Sequence, residues 1–493
     1  MERAPYAAMT VTAVFVAGLA ALPVTIAPGG PAQAIPVHPV SSGPSQGLLA
    51  TRGPSWTVSK PSLPSGAGAG AAATLSGVAC PSALVCLAVG DYLDSSGSGQ
   101  GLLLAGHGSS WTATRAPLPA GAAQPGGAGP AVSLGFVACP SASVCVAVGG
   151  YTDSSGNQQG LLLATRGSSW TATKAPLPAG AATNPNADLP DVACPSASAC
   201  VAVGSYTDSS GNQQGLLLAT RGSSWTATKV PLPAGAAASA AASLSAVACP
   251  SVAACAAAGM YTNSSGRAQG LLLATRGSSW TASRAPLPGS APAGWLASVA
   301  CPSTATCAAA GDYATSLDVD NGLLLATRGS SWTATKAPLP AGAAVNADAN
   351  LPGHDLACPS TSSCVAAGSY LGASGYTQGL LLASRGSSWT ATKAPLPAGA
   401  KAGWLASVAC PSAAVCVAAG QYYDRSGNWQ GLLLAGRGSS WTVIKAPLPA
   451  GAATSPSPWV PGVACPSAAT CVAAGYYTDA AGYPQGMLLT GPG

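Results

Sequence analysis

The chain repeats one segment of about 55 residues eight times, and every copy carries its own pair of cysteines. One copy, from Val137 to Ala182, reads VACPSASVC, then VAVGGYTDSSGNQQG, then LLLATRGSSWTATKAPLPAGAA. The first cysteines of the pairs stand at positions 80, 139, 194, 249, 301, 358, 410 and 465. A fixed period in this range predicts a repeat architecture, in which each copy is one unit that packs against its neighbours. The repeat therefore constrains the fold much more tightly than the function.

The cysteines of each copy have the spacing C-x5-C, with Pro and Ser directly after the first cysteine. Because every copy carries two of its own, we expect one local disulfide per copy and an oxidising compartment. The expected pairs are Cys80–Cys86, Cys139–Cys145, Cys194–Cys200, Cys249–Cys255, Cys301–Cys307, Cys358–Cys364, Cys410–Cys416 and Cys465–Cys471. Each such short bridge is expected to stabilise the fold by about 2 kcal/mol. Structural zinc is the alternative, but it favours tighter spacing, and the three histidines stand out of register with the pairs. We therefore expect neither a metal nor a cofactor.

Residues 1–34 are predicted to be a secretion signal. An uncharged, mostly apolar stretch from Ala7 to Ile26 is followed by a small-residue site, with cleavage expected after Ala34. An uncleaved anchor is the alternative, since about 20 apolar residues just suffice to span a bilayer. No later segment is long and apolar enough to cross a membrane. The rest of the chain is predicted to divide into a linker, residues 35–46, and one repeat domain, residues 47–493.

Turn residues divide each copy into four short apolar runs, each four to seven residues long and rich in strand-forming residues. In the fourth run Trp170, Ala172 and Lys174 alternate with threonines, as in a half-exposed strand. The third run is continuously apolar from Leu161 to Leu163, which is typical of a strand covered on both faces. A four-stranded unit repeated in tandem predicts a β-propeller. We predict an all-β, eight-bladed propeller with four antiparallel strands and one disulfide hairpin per blade.

The two ends of the repeat domain complement each other. A segment with the third-run and fourth-run pattern, Gly47 to Lys60, precedes the first cysteine pair, and the chain's last segment, QGMLLTGPG, is a third run without a fourth. We therefore predict that the N-terminal strand around Trp56 completes the last blade and closes the ring. Either Leu48-Leu49 or Met487–Leu489 is then a surplus third strand.

The stretch TRGSSWT resembles the Asp-box, or bacterial neuraminidase repeat, of sialidase-like propellers, whose form is S-x-D-x-G-x-x-W. Gly167 and Trp170 match its Gly and Trp. The whole repeat resembles the propellers of photosystem II assembly factors more closely still. The resemblance implies a propeller with this motif on the hairpin between the third and fourth strands. The Asp of the motif is replaced by Thr165 here, and by Thr, Ser or Gly in the other copies, so only a weaker side-chain bond to the turn is available. The motif is structural in those families and does not imply sugar binding.

A sialidase-type site would need a tyrosine activated by glutamate, an acid/base aspartate and a cluster of arginines. The only glutamate is Glu2, inside the predicted signal, which removes every glutamate-based glycosidase arrangement from the mature chain. Five aspartates recur in register in the turn between the second and third strands, and we predict that they form turns: Asp94, Asp153, Asp208, Asp424 and Asp479.

The aspartates that break the register are Asp188, Asp191, Asp318, Asp320, Asp348 and Asp355. His354 beside Asp355 is the pair that most resembles catalytic residues. Adjacent residues of an extended segment point to opposite sides, so a relay between the two is not expected, and a solvated loop is the simpler interpretation. We keep both as candidate ligand-binding residues. Asp318 and Asp320 could offer two carboxylates to a cation, but two oxygen donors make a weak site.

The cations are also in register, although only 7% of residues are charged and the net charge is +5. One set follows the third strand: Arg52, His107, Arg166, Arg221, Arg276, Arg328, Arg385 and Arg437. The other set ends the fourth strand: Lys60, Arg115, Lys174, Lys229, Arg284, Lys336, Lys393 and Lys445. Radially repeated charge could attract an anionic polymer. The simpler interpretation is that these residues cap strand ends and keep the surface soluble. Nucleic acid is not an expected partner.

Eight of the twelve tryptophans are in register and are predicted to pack the blades. The other four are candidate ligand-binding residues. We predict that Trp295, Trp404 and Trp459 lie in loops between a fourth strand and the next first strand, and that Trp429 lies in a second-to-third loop. These loops share one face of a propeller, where exposed aromatics could stack on sugar rings or take up a peptide. Alternatively, each tryptophan covers the top of its own blade.

The sequence thus predicts a secreted, monomeric, non-catalytic binding or scaffold module at the surface of a bacterial cell or outside it. The expected partner is an extracellular polysaccharide, a cell-wall polymer or a protein. The alternative is an extracellular carbohydrate-active enzyme, a glycoside hydrolase or sialidase-like protein, that uses aspartates on the loop face. A role as an assembly factor would rest on the blade pattern alone.

Overall fold

The computed structural model describes most of the repeat domain. The described residues are 55–123, 132–167, 169–222, 224–277, 279–315, 320–328, 331–345, 347–351, 353 and 356–493. Within them the chain forms 33 β-strands and no helix. Consequently, no helix able to span a bilayer occurs in this part of the chain.

The strands form eight blades, preceded by one short strand, β1 (Thr57–Ser59). Blade 1 contains β2 (Ala73–Ala79), β3 (Val85–Leu93), β4 (Gly99–His107) and β5 (Ser110–Arg115). Blade 2 contains β6 (Ser133–Ser141), β7 (Val144–Thr152), β8 (Gln158–Arg166) and β9 (Ser169–Lys174). Blade 3 contains β10 (Asp188–Ser196), β11 (Ala199–Thr207), β12 (Gln213–Arg221) and β13 (Ser224–Lys229). Blade 4 contains β14 (Ala242–Ser251), β15 (Ala254–Thr262), β16 (Ala268–Arg276) and β17 (Ser279–Arg284).

The second half of the ring repeats this plan. Blade 5 contains β18 (Ala293–Ser303), β19 (Thr306–Ala314), β20 (Asp320–Arg328) and β21 (Ser331–Lys336). Blade 6 has its first strand in two pieces and contains β22 (Ala349–Asn350), β23 (Leu356–Ser360), β24 (Ser363–Leu371), β25 (Thr377–Arg385) and β26 (Ser388–Lys393). Blade 7 contains β27 (Ala402–Ser412), β28 (Val415–Tyr423), β29 (Trp429–Arg437) and β30 (Ser440–Lys445). Blade 8 contains β31 (Trp459–Ser467), β32 (Thr470–Thr478) and β33 (Pro484–Gly491).

Every blade is an antiparallel sheet in which consecutive strands are neighbours. The first strand of each blade contacts the first strand of the next blade, and the series continues from β31 of blade 8 to β2 of blade 1. The first strands therefore surround the axis of a closed ring, and the fourth strands lie at its outer rim. The structure confirms the predicted eight-bladed propeller.

The ring closes through β1, which pairs antiparallel with β33 and so supplies the fourth strand of blade 8. Val58 lies opposite Leu489, and Trp56 just before the strand is buried in the core between blades 7 and 8. The predicted closure by the strand around Trp56 is confirmed. Met487–Leu489 is the third strand of blade 8 and is not surplus, while Leu48-Leu49 lies outside the described residues.

The core consists of apolar clusters that each join two neighbouring blades, one cluster for each interface of the ring. In blade 2, Leu161 and Leu163 pack against blade 1, whereas Leu162 packs towards blade 3. All three leucines are fully buried. Successive residues of a strand point to opposite faces, so the continuous apolar run of the third strand serves both interfaces at once.

All eight expected disulfides are present, each between the end of a first strand and the start of the second strand of the same blade. Their Cα atoms are 4.0 to 4.1 Å apart. The antiparallel turn between the two strands places the disulfides at one end of the ring. The loops that lead into first strands, and those between second and third strands, lie at the opposite end.

The second strand of each blade contains a glycine that allows the first strand of the same blade to come close. At Gly149 in blade 2, an added Cβ would overlap the carbonyl oxygen of Ser133 on the first strand. Each of the other blades shows the same overlap, at Gly90, Gly204, Gly259, Gly311, Gly368, Gly420 and Gly475. The close approach at the axis therefore depends on the missing side chain.

We expect Gly149→Ala to lower the free energy of unfolding by about 1 to 3 kcal/mol, because the methyl group must displace the backbone of β6. Gly135→Ala in the same blade is the matched control, since a Cβ there meets no atom within 4 Å. Urea denaturation of both variants measures the difference. Equal stability of the two variants would show that the close approach can relax without cost.

Candidate functional site

The overlaps at these glycines identify structurally equivalent positions in all blades. The carbonyl that each glycine meets belongs to Thr74, Ser133, Asp188, Ser243, Trp295, Asn350, Trp404 or Trp459. Directly opposite each of these, in strand register, stands the residue after the glycine: Asp91, Gly150, Ser205, Met260, Asp312, Ser369, Gln421 or Tyr476. We call these eight pairs the axial ring. They lie near the axis, at the end of the propeller opposite the disulfides.

The axial ring is asymmetric, although the blades that carry it are nearly identical in sequence. Blades 1 to 3 contribute Thr, Ser, Gly and Asp, whereas blades 7 and 8 contribute two tryptophans, a glutamine and a tyrosine. The buried leucines and the turns of the same blades repeat with little change. Variation at one end of the propeller, in the axial ring and in the loops beside it, is what a ligand site on a repeat scaffold requires.

A pocket of about 550 Å³ opens in the polar part of the axial ring. It is lined by blades 1, 2 and 3, with Pro461 of blade 8 at one side. Its hydrogen-bonding side chains are those of Ser76, Asp91, Ser133, Gln158, Asn186, Asp188, Ser205 and Gln213. No lysine, arginine or histidine is among the lining residues. We call this cavity the axial pocket.

Two carboxyl groups line the axial pocket. Asp91 is partly buried and accepts a hydrogen bond from the Thr74 hydroxyl, with 3.0 Å between the oxygens. Burial raises the pKa of Asp91, and this hydrogen bond opposes the rise. Burial also raises the pKa of Asp188, against a hydrogen bond from the Leu189 N–H. The Asp188 side chain is exposed to the cavity while the surrounding protein limits its hydration, so the accessible surface and the raised pKa are compatible.

The loop that leads to Asp188 has unusual backbone geometry. Asn186 has a φ of 42°, in the left-handed region that non-glycine residues rarely adopt. Ser457, two residues before Trp459, has the equivalent conformation with a φ of 41°. These are the two positive-φ non-glycine residues in the part of the chain that the structure describes. Each stands two residues before an axial-ring residue, and such strain is typical of functional sites.

Four aromatic residues meet in blades 7 and 8. The ring centroids of Trp404 and Trp429 are 4.3 Å apart, those of Tyr423 and Trp429 are 4.8 Å apart, and those of Trp404 and Trp459 are 6.3 Å apart. The rings are mutually tilted by 53 to 57°. All four side chains are partly exposed. We call Trp404, Tyr423, Trp429 and Trp459 the aromatic sector.

The predicted loop positions of the four off-register tryptophans are wrong. Trp295 and Trp404 lie inside first strands, Trp459 begins β31, and Trp429 begins β29. The strands extend further than the turn residues suggest, because the first strand continues to pair past the bulge opposite the second-strand glycine. The four tryptophans do lie at the predicted end of the propeller, the one that carries the loops between second and third strands. Three of the four tryptophans come together, while Trp295 stands on blade 5, and a binding role for any of them stays a prediction.

Two aspartates join neighbouring blades. Asp312, opposite Trp295, is 1% exposed and accepts a hydrogen bond of 3.0 Å from the Leu351 N–H of blade 6. Burial raises the pKa of Asp312 to about 8. Asp191 is 2% exposed and accepts a hydrogen bond of 2.8 Å from the Val247 N–H of blade 4. Each carboxyl group links two neighbouring blades, and neither lines the axial pocket.

The five aspartates that recur in register between second and third strands form turns, as predicted. In blade 3, Asp208 accepts hydrogen bonds of 3.0 Å from the N–H groups of Ser210 and Asn212, and one of 2.9 Å from the Gln214 side chain. The hydrogen bond from the Asn212 N–H is the largest cause of the lowered pKa of Asp208. The other four aspartates accept the equivalent pair of backbone bonds.

The remaining sequence candidates are scattered. His354, Asp355 and Asp318 lie outside the described residues. Asp320 begins β20, and Asp348 is exposed in the segment before β22. Among the described residues, no three His, Cys, Asp or Glu side chains come together in a way that could hold a metal ion.

Sequence reasoning missed Asp91, Asp312 and Tyr476 as residues of interest. All three stand directly after the second-strand glycine, at a position that six different residue types occupy across the eight repeats. A search for positions that differ between otherwise constant copies would have found them.

No protein-family model matches this chain, and no curated protein matches its sequence. The Asp-box resemblance therefore stays a resemblance of short motifs.

Several solved structures are similar in outline. The propeller domain of the Trilobed protease from Pyrococcus furiosus is 4% identical, with 76% of this chain and 97% of that chain covered and a TM-score of 0.42. The BP39L lectin from Burkholderia pseudomallei is 14% identical, with 76% and 99% covered and a TM-score of 0.38. A Trypanosoma rangeli sialidase mutant with trans-sialidase activity is 8% identical, with 66% and 56% covered and a TM-score of 0.34. Likenesses this weak support no conclusion about function, and the fold rests on the sheet topology given above.

The buried carboxyl of Asp312 predicts a pH-dependent stability. The unfolded chain loses this proton near its ordinary pKa of 3.8, whereas the folded protein keeps it to about pH 8. Ionisation thus favours the unfolded state across this interval, and stability falls as pH rises, by up to about 1.4 kcal/mol per pH unit. We expect Asp312→Asn to gain stability relative to wild type between pH 4 and 8 in urea titrations.

Asp208→Asn is the matched control with the opposite sign. The pKa of Asp208 is lowered in the folded protein, so its ionised form stabilises the fold above pH 3.8 and this contribution is lost as pH falls further. The variant should be less stable than wild type near neutral pH, and the difference should shrink in acid. The same slope for both variants would contradict the assignment of Asp312.

Proposed function

We propose that this chain is a secreted, non-catalytic binding module that holds a neutral carbohydrate in the axial pocket. The observation that carries the proposal is the pocket itself, a cavity of about 550 Å³ lined by carboxyl, amide and hydroxyl groups. This volume falls within the range of small-molecule sites. Side chains that both donate and accept hydrogen bonds match the hydroxyl groups of a sugar.

The charge of the lining favours a neutral ligand. The pocket contains two carboxyl groups and no cationic side chain, so none of its side chains could form an ion pair with a carboxylate or phosphate. A sialic acid or a teichoic acid would meet carboxyl oxygens instead of guanidinium groups. Eight disulfides and no free cysteine among the described residues support an extracellular site of action.

A glycan array with neutral and acidic glycans, probed with the protein from residue 35 onward, tests the proposal. Gly150→Leu should fill the pocket without strain, because a Cβ at Gly150 meets no atom nearer than 3.5 Å. We expect this variant to lose at least about tenfold in affinity for the neutral glycan, which corresponds to about 1.4 kcal/mol. Ser369→Leu changes the equivalent axial-ring position of blade 6, outside the pocket, and should bind like wild type. Binding of acidic glycans only, or of none, would overturn the proposal.

The paired carboxyl groups favour one second candidate, glycoside hydrolysis. Asp91 and Asp188 line the same pocket, and both have raised pKa values. In such a reaction one carboxyl protonates the leaving oxygen as the glycosidic bond breaks, and the other takes a proton from the water that forms the new bond.

A hydrolysis assay on the bound glycan separates the two functions. An enzyme would release a reducing end, and Asp91→Asn and Asp188→Asn would abolish release while binding persists. We expect wild type to leave the glycan intact, because the reaction needs one carboxyl group protonated and the other ionised, whereas burial raises the pKa of both aspartates and no cationic side chain lines the pocket to keep one of them ionised. Turnover that depends on both aspartates would replace the binding role with the catalytic one.

A further inference from the structure

The axial pocket and the aromatic sector are neighbours on one face. Pro461 in the pocket wall is two residues after Trp459, on the same strand. Tyr476 stands directly opposite Trp459 in register and is partly exposed. Tyr476 lies on β32, which contacts β2 of blade 1 across the junction of blades 8 and 1. Burial, and then the charge of Asp91, raise the pKa of Tyr476. No other blade intervenes between the two regions.

The geometry of the aromatic sector fits a surface on which a ligand lies. The ring centroids are 4.3 to 6.3 Å apart, so the rings touch one another and leave no space for a ligand between them. The four residues are partly exposed and lie at the same end of the propeller as the pocket. Tilted aromatic surfaces of this kind stack on the apolar faces of sugar rings. They contribute little to the affinity for a monosaccharide that is bound elsewhere.

The two regions are too far apart for one sugar. The pocket lies in blades 1 to 3 and the aromatic sector in blades 7 and 8. Blade 8 lies between Trp404 on blade 7 and Asp91 on blade 1, and blades 8, 1 and 2 lie between Trp404 and Asp188 on blade 3. Because packed sheets are about 10 Å apart, a single pyranose ring held at these carboxyl groups does not also rest on Trp404. A chain of linked sugars can occupy both.

We infer that the site recognises a neutral oligosaccharide chain, with its terminal sugar in the axial pocket and the following sugars stacked on the aromatic sector. This inference rests on the proposed function and adds the length and orientation of the ligand. The concave pocket takes an end of the chain, and the aromatic surface lets the chain continue along the same face of the propeller. Trp404 is the central stacking residue because its ring contacts both Trp429 and Trp459.

The test compares a monosaccharide with its own oligomers by isothermal titration calorimetry. The probes are glucose, mannose, galactose and N-acetylglucosamine, each with its linear oligomers of two to six residues. We expect affinity to rise at least about tenfold from the monosaccharide to the trimer and then to level off. Trp404→Ala should remove most of that rise and leave monosaccharide affinity unchanged.

Trp295→Ala is the matched control, since it is the same substitution at the equivalent axial-ring position of blade 5. It should alter neither affinity, and thermal melting of both variants should show that the fold persists. Equal affinities of wild type for monosaccharide and oligomers, or an equal loss for both ligands in Trp404→Ala, would overturn the inference and leave the pocket function standing. If no probe binds, the proposed function fails as well.

Discussion

Closure of the ring is the constraint on which the structure depends. Each blade presents two apolar faces, and every one of them is covered only when eight blades form a complete circle. The pairing of β1 with β33 places both chain ends in one sheet and buries Trp56 in the last interface. An open arrangement would expose Leu75 on one side and Leu488 on the other, at a cost of about 2 kcal/mol for each such side chain.

The two ends of the closed ring differ in how much their residues vary from blade to blade. The disulfide end is nearly the same in all blades, because each bridge joins the same two strands at the same position. At the other end the axial ring differs from blade to blade while the backbone beneath it stays constant. A rigid scaffold of this kind can hold polar groups in one part and aromatic groups in another without conflict between stability and recognition.

Much of the fold could be predicted from particular residues of the sequence. The C-x5-C spacing predicted the disulfides, and the patterns of the two end segments predicted the closing strand. The recurrence of Asp208 and its equivalents correctly indicated a turn. Trp404 and Trp459 were recognised as unusual but were placed in loops, because no local signal shows that a first strand continues pairing past its bulge. Asp91 was missed, since an aspartate inside a strand looks unremarkable until its neighbours across the ring are known.

By itself, the sequence determined the number of blades, the strands in each blade, the local disulfides and the manner of closure. These features depend on short-range patterns and on repetition, which a linear chain displays directly. The tertiary structure alone decided which odd residues share a site. Residues from blades separated by more than 300 positions, such as Asp91 and Tyr476, come together only because the ring closes on itself. The pocket and the aromatic sector therefore exist as one surface only in the folded circle.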